Sequence, residues 1–97
     1  MKIRVFNPDI KDFTVKYDVS GDRNTKEFKV NARDVAYFDK SIAFHVANHL
    51  ADFLLHKRGV ADKEKIRSPH AVKQEILKEI LEDGYTQYQE QYQSAHN

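Results

Sequence analysis

Four side chains with metal-binding chemistry recur along one segment in the middle of the chain. They are His45, His49, Asp52 and His56, separated by four, three and four residues. On a helix, which turns about 100° per residue, these spacings place all four on one side. Neutral imidazoles and a carboxylate arranged in this way could hold Zn²⁺. The alternative is the polar face of an amphipathic helix, and the sequence favours it, so we predict no bound metal and no other cofactor.

His45 and His49 also have the spacing of the zinc-protease motif H-E-x-x-H. That motif needs a glutamate as general base beside the first histidine, and Val46 occupies the position here. The sequence contains no Gly-rich phosphate loop, no G-x-S-x-G elbow and no cysteine, and only three glycines. We therefore expect no catalytic residues and a protein that is not an enzyme.

A local cluster of basic residues could contact nucleic acid. No aromatic residue accompanies it to stack on single-stranded bases, and the segment is too long for the turn of a helix-turn-helix. Basic loops are more often simply solvated surface. A small regulatory or nucleic-acid-binding module is thus the alternative function, and it would use Lys57, Arg58, Lys63, Lys65 and Arg67.

Three tyrosines near the C-terminus are the clearest indication of a protein partner. Tyr85, Tyr88 and Tyr92 are three and four residues apart, so a helix formed on a partner would carry their rings on one face. Residues 85–97 include four glutamines and no Val, Ile or Leu, and we expect them to be a mobile tail. A frayed terminus that happens to carry tyrosines is the alternative.

The composition indicates one folded domain. The 97 residues are 40% hydrophobic and 32% charged, which suffices for one core but not for two. A formal net charge of +1 gives no field strong enough to imply nucleic acid or an anionic membrane as partner. The N-terminus lacks the apolar region of a signal peptide, and no apolar stretch reaches the roughly 20 residues of a membrane span. We therefore expect a protein that is not secreted by a signal peptide and that has no membrane segment.

Alternating patterns in the first forty residues predict strands. Residues 2–6 and 12–19 form two of them, joined by turn chemistry at Asn7-Pro8-Asp9, and we expect these two to pair antiparallel. A third strand contains Phe28 and Val30 after a polar loop. Residues 34–38 could form a fourth strand or cross over to the first helix.

Two segments in the second half have helical periodicity. The first begins near Ser41 and ends near Gly59, with an apolar side of Ile42, Val46, Leu50, Phe53 and Leu54 and a second row of alanines. The second begins at Ser68-Pro69, where Ser can cap and Pro is favoured, and ends near Asp83-Gly84. The prediction is an α+β domain over residues 1–84, with a small antiparallel sheet of three or four strands before two amphipathic helices. The Gln/Tyr-rich tail follows over residues 85–97.

Two segments carry a resemblance to a known group of proteins. Asn7-Pro8 with residues 12–18, followed by residues 42–52 with their H-x-x-x-H-L-A-D pattern, resembles a loose group of small tailed-phage proteins encoded among virion structural genes. The resemblance covers residues 3–59, and it departs from the group at 31–33, where a Pro-Ala-Gly type of turn would be expected. It implies a minor virion component, located in the virion or the host cytoplasm, that binds larger structural proteins and has no active site. Self-association or binding to virion structural proteins is therefore the expected function.

Overall fold

The computed structural model describes residues 2–18, 25–58 and 69–92. Within these residues four strands precede three helices, which confirms the predicted α+β class and shows that the fourth strand forms. The strands are β1 (Lys2–Phe6), β2 (Phe13–Asp18), β3 (Thr25–Val30) and β4 (Val35–Asp39). The helices are α1 (Lys40–Arg58), α2 (Pro69–Leu81) and α3 (Gly84–Tyr92).

The strands form two antiparallel pairs, and the predicted pairing of β1 with β2 is wrong. β1 pairs with β4 and β2 pairs with β3. The register of the first pair places Ile3 opposite Phe38 and Val5 opposite Ala36, so the inward side chains of both strands meet on the core side. Because alternation reports only which face of a strand is buried, it could not identify the neighbouring strand.

Asn7 joins the two strand pairs. Its side chain is fully buried, and its Nδ2 donates to the carbonyl oxygens of Lys11 (2.9 Å) and Val30 (3.0 Å). Its Oδ1 accepts from the Asp9 amide at 2.9 Å, and its own amide donates to the Asp34 carbonyl oxygen at 3.0 Å. The predicted turn after β1 is thus also a long-range connection, because it holds the end of β1 against the end of β3.

Replacing Asn7 with alanine should lower the free energy of unfolding by about 1 to 3 kcal/mol, because the buried Val30 carbonyl loses its partner. Urea denaturation of the purified chain measures the change. The matched control is Asn31→Ala, since Asn31 is exposed and its replacement should change stability by less than about 0.5 kcal/mol. Equal effects of the two substitutions would contradict a stabilising role for the Asn7 side chain.

The core lies between α1 and the other elements. α1 packs against α2, β1 and β4, and the row of Ala43, Ala47 and Ala51 is fully buried, which permits close approach of the neighbouring backbone. The predicted apolar side is largely correct, but Phe53 is 42% exposed and does not belong to the core. Phe53 lies at the edge of the buried arc, where helical periodicity alone cannot separate core from surface.

α2 ends as predicted before Asp83, and the chain then continues as a helix. Glu82 has a left-handed φ of 49° at the position where helices often end, and its amide donates to the Lys78 carbonyl oxygen at 2.8 Å. α3 begins at Gly84, where a Cβ atom would lie 2.9 Å from Cγ2 of the buried Ile3. The expectation of a mobile tail is therefore wrong for residues 85–92, which are helical and bury Tyr85 and Tyr88.

Within the described ranges no helix is long and apolar enough to cross a membrane.

Candidate protein-binding surface

Two phenylalanine rings meet at the surface where β2 approaches α1. The ring centroids of Phe13 and Phe53 are 5.5 Å apart, at an angle of 41° between the planes. The Lys57 ammonium lies 5.8 Å from the Phe53 centroid, within the range of a cation–π contact. Phe13 is half-buried and Phe53 is substantially exposed, so the pair presents aromatic area to solvent.

An ion pair anchors the loop that follows β1 beside these rings. The Lys57 Nζ donates to both carboxylate oxygens of Asp9, at 2.7 and 2.9 Å. This hydrogen bond from Lys57 is the main reason that the pKa of Asp9 lies below its ordinary value. The loop is therefore attached both to α1 through Asp9 and to the sheets through Asn7.

Ile10 follows Asp9 and is 72% exposed. We define the apolar patch as Ile10, Phe13 and Phe53, with the Asp9–Lys57 pair at its border. Apolar side chains grouped on the surface and bordered by polar ones are typical of protein-binding sites, whereas single exposed apolar residues are not informative. Aromatic rings are also enriched among the residues that dominate interface energies. The arrangement is suited to contact with another protein.

A second surface feature lies where the edge of β1 approaches the α2–α3 turn. It is a cleft of about 220 Å³ whose lining includes Lys2, Arg4, Tyr37 and Glu82. The buried Nη1 of Arg4 lies 3.1 Å from the Glu82 Oε2 without making a hydrogen bond. Lys2 in turn pairs with Asp39 at 3.2 Å. Because acidic and basic side chains are paired here, the lining of the cleft favours neither an anionic nor a cationic ligand.

The predicted histidine stripe divides into separate contacts. The His45 ring stacks on Tyr17, with centroids 3.8 Å apart, and lies 4.4 Å from the His49 ring. Burial, and secondarily the nearby His49, lower the pKa of His45. Asp52 pairs with Lys73 on α2 at 2.8 Å.

His56, the last member of the stripe, is exposed at the end of α1. In the described part of the chain, no three histidine, aspartate or glutamate side chains are close enough together to hold a metal ion. The four-residue stripe does not converge on one point.

Two of the three predicted partner-binding tyrosines belong to the core. Tyr85 and Tyr88 are 6% and 7% exposed, and the Tyr88 ring packs edge-on against Phe44 at 5.4 Å. The Tyr85 hydroxyl contacts Gln74 Oε1 at 2.7 Å. Their helical spacing was recognised correctly, but the surface that they cover belongs to this same chain. The side chain of Tyr92 lies outside the described residues.

The basic cluster is described only at its beginning. The ammonium of Lys57 is held by Asp9, which leaves it less available to a phosphate group. The side chains of Arg58, Lys63, Lys65 and Arg67 lie outside the described residues. The geometry thus adds no support for a nucleic-acid interface.

Of the three residues of the apolar patch, only Phe53 departs from its predicted place: periodicity put it on the apolar side of α1, and it is 42% exposed. The sequence analysis gave no role to Ile10. One signal was available: Ile10 lies between Asp9 and Lys11, outside any apolar period, and no helix or strand face would bury it.

Comparison with known proteins identifies no relative. No family model matches the chain, and no curated protein or solved structure is significantly similar to it. The resemblance to small tailed-phage proteins therefore depends only on the residues quoted above.

Proposed function

We propose that this chain is a non-enzymatic assembly protein that binds larger structural proteins through the apolar patch. The observation that carries the proposal is the Phe13–Phe53 ring pair, with Phe53 42% exposed, beside the loop of the exposed Ile10, which the Asp9–Lys57 ion pair attaches to α1. Covering such a patch releases roughly 25 cal/mol for each Å² of apolar surface removed from water. A folded chain of this size gains little from leaving aromatic area exposed, so a partner is the simplest physical reason for it.

The border of the patch also suits a protein interface. Beside the Asp9–Lys57 pair, Lys29 pairs with Asp12 at 3.3 Å, and Asp12 accepts a hydrogen bond from the Ala32 amide at 2.7 Å. The amide of Ala32 and the ammonium of Lys29 lower the pKa of Asp12. Interfaces commonly have such a polar rim around an apolar centre, and the rim sets register more than affinity.

The kind of partner follows from the resemblance. Small tailed-phage proteins of this type are expected to bind larger virion proteins, and a surface built from a rigid helix and a strand can do so without ordering a disordered segment. Location in the virion is part of the proposal. Self-association through the same patch is the competing outcome, and the experiment distinguishes the two.

The test measures complex formation by the full-length chain. The chain is mixed with each structural protein encoded beside it, and masses are determined by light scattering after size exclusion. We expect a complex with one of them and a monomer when the chain is alone. The double substitution Ile10→Ser with Phe53→Ser should abolish the complex without loss of fold, because Ile10 is 72% exposed and Phe53, which is 42% exposed, lies outside the core.

Tyr37→Ser is the matched control, since Tyr37 is 63% exposed on β4 and lies outside the patch. It should bind as the wild type does. Failure to bind any of the structural proteins would overturn the proposed function. Binding that survives the double substitution but is lost with Tyr37→Ser would show that another surface is used.

A further inference from the structure

Two imidazole rings of α1 lie close enough to share one ligand. His45 and His49 are four residues apart on the helix, and their ring centroids are 4.4 Å apart with 56° between the planes. Histidines with this spacing share one helix face, as in zinc proteases that bind a metal with such a pair. The distance can be compared with the geometry that a bound ion would impose.

Coordination geometry predicts a characteristic separation of the two rings. A metal lies about 2.0 to 2.1 Å from a coordinating imidazole nitrogen, which puts each ring centre about 3.2 Å from the ion. Two such rings at a right angle have centres about 4.5 Å apart, whereas the tetrahedral angle that Zn²⁺ prefers separates them by about 5.2 Å. The observed 4.4 Å is closer to the separation expected for a right angle than to the tetrahedral value.

The surroundings hold one ring in place and leave space beside it. His45 stacks nearly parallel on Tyr17, with 16° between the planes, so part of its rotational freedom is already lost. His45 also borders a cavity of about 290 Å³ on the side of Phe44, Asn48 and Tyr88, which His49 does not line. The His49 side chain is exposed and His45 is half-buried, so solvent water can complete the shell of an ion bound by only two side chains.

We propose that His45 and His49 form a two-histidine chelate for Ni²⁺ or Cu²⁺. These ions favour tetragonal arrangements of nitrogen and oxygen ligands, and both bind such sites more tightly than most divalent metals of the series. Water supplies the other positions, because no third histidine, aspartate or glutamate of the described ranges converges on the pair. The site is independent of the apolar patch and goes beyond the proposed function.

An imidazole must be neutral to bind a metal. The contact with Tyr17 makes that residue a positioning residue and not a ligand.

The test is isothermal titration calorimetry, in which NiCl₂ is added to the full-length chain. The chain carries no His-tag. We expect one equivalent of Ni²⁺ to bind, and binding at least about tenfold weaker after His45→Gln or His49→Gln. His56→Gln and His70→Gln are the matched controls and should bind as the wild type does, since neither belongs to the pair. Zn²⁺ should bind more weakly than Ni²⁺. No binding, or equal binding by both pair variants and the controls, would overturn the proposal.

A second measurement keeps the test decisive if a pair variant does not fold. Cu²⁺ added to the wild-type chain should give an electron paramagnetic resonance spectrum with hyperfine coupling to two imidazole nitrogens, and a spectrum without two such nitrogens would refute the site. The positioning role is tested with Tyr17→Phe, which keeps the stacked ring and should keep the Ni²⁺ affinity. Tyr17→Leu removes the aromatic stack and should weaken binding, whereas unchanged affinity would remove Tyr17 from the site.

Discussion

Replacing Leu50 with alanine is expected to lower the free energy of unfolding by about 2 to 5 kcal/mol. Leu50 is completely buried on α1, the helix that packs against both α2 and β1. The substitution removes apolar contacts and leaves a cavity that two packed layers cannot easily close. Urea denaturation followed by circular dichroism measures the loss as a lower midpoint at unchanged slope.

Ile10→Ala is the control for this prediction. Ile10 is 72% exposed, so its truncation creates no cavity and should change stability by less than about 0.5 kcal/mol. A neutral effect of Leu50→Ala together with a large effect of Ile10→Ala would reverse the assignment of core and surface. It would also remove the basis for the apolar patch.

Replacing Tyr88 with alanine should destabilise the protein by about 3 to 5 kcal/mol, as for other large buried aromatic residues. The ring is 7% exposed, meets Phe44 edge-on at 5.4 Å and stacks near Tyr85 at 6.2 Å. A mobile tail would give no such effect. Chemical denaturation of the variant therefore tests whether α3 belongs to the folded unit.

Two further substitutions serve as controls. One measures the contribution of the Tyr88 hydroxyl to stability, and the other measures the effect of removing an exposed tyrosine. Tyr88→Phe keeps the ring and removes the hydroxyl, whose contact with Asn48 Oδ1 is long at 3.4 Å, so it should cost less than about 1 kcal/mol. Tyr37→Ala removes a tyrosine that is 63% exposed and should be nearly neutral. Equal stability of Tyr88→Ala and Tyr37→Ala would contradict the burial of α3.

Burial of α3 affects how partner binding can be tested. A chain ending at Gly84 would lack both Tyr85 and Tyr88, and the core surface that they cover would be exposed. Loss of binding or aggregation of such a chain would then report damage to the fold. Substitutions in the apolar patch avoid this problem, because they alter side chains that already face solvent.

The positions of α1, α2, β2 and β3 were predictable, because apolar periodicity and helix-end residues act on the backbone close to them in sequence. Periodicity and end signals located α1 and α2 within one or two residues, since Ser68-Pro69 and the residues around Asp83 act on the backbone beside them. Alternation likewise located β2 and β3. The α+β class followed from the order of these elements along the chain.

Tertiary structure decided the partners of each element. The alternation of apolar and polar residues in β1 shows that Ile3 and Val5 face a core. The same pattern is compatible with β2 or β4 as the neighbouring strand. The choice depends on contacts distant in sequence, such as the bond from Asn7 to Val30. No pattern within a single strand contains that information.

The same limitation explains both errors about surface and core. Tyr85 and Tyr88 belong to a segment without aliphatic residues, which could not order itself alone, and they become buried only because Phe44 and α2 provide the surface that they cover. Phe53 has the periodicity of a core residue but lies at the edge of the buried side of α1, where its ring contacts Phe13 and the Lys57 ammonium. The sequence by itself determined β1, β2, β3, α1 and α2, since propensity and periodicity act locally, but it left β4 open and did not identify α3. Only the tertiary structure decided which of their aromatic side chains are buried, because burial depends on neighbours that fold from elsewhere in the chain.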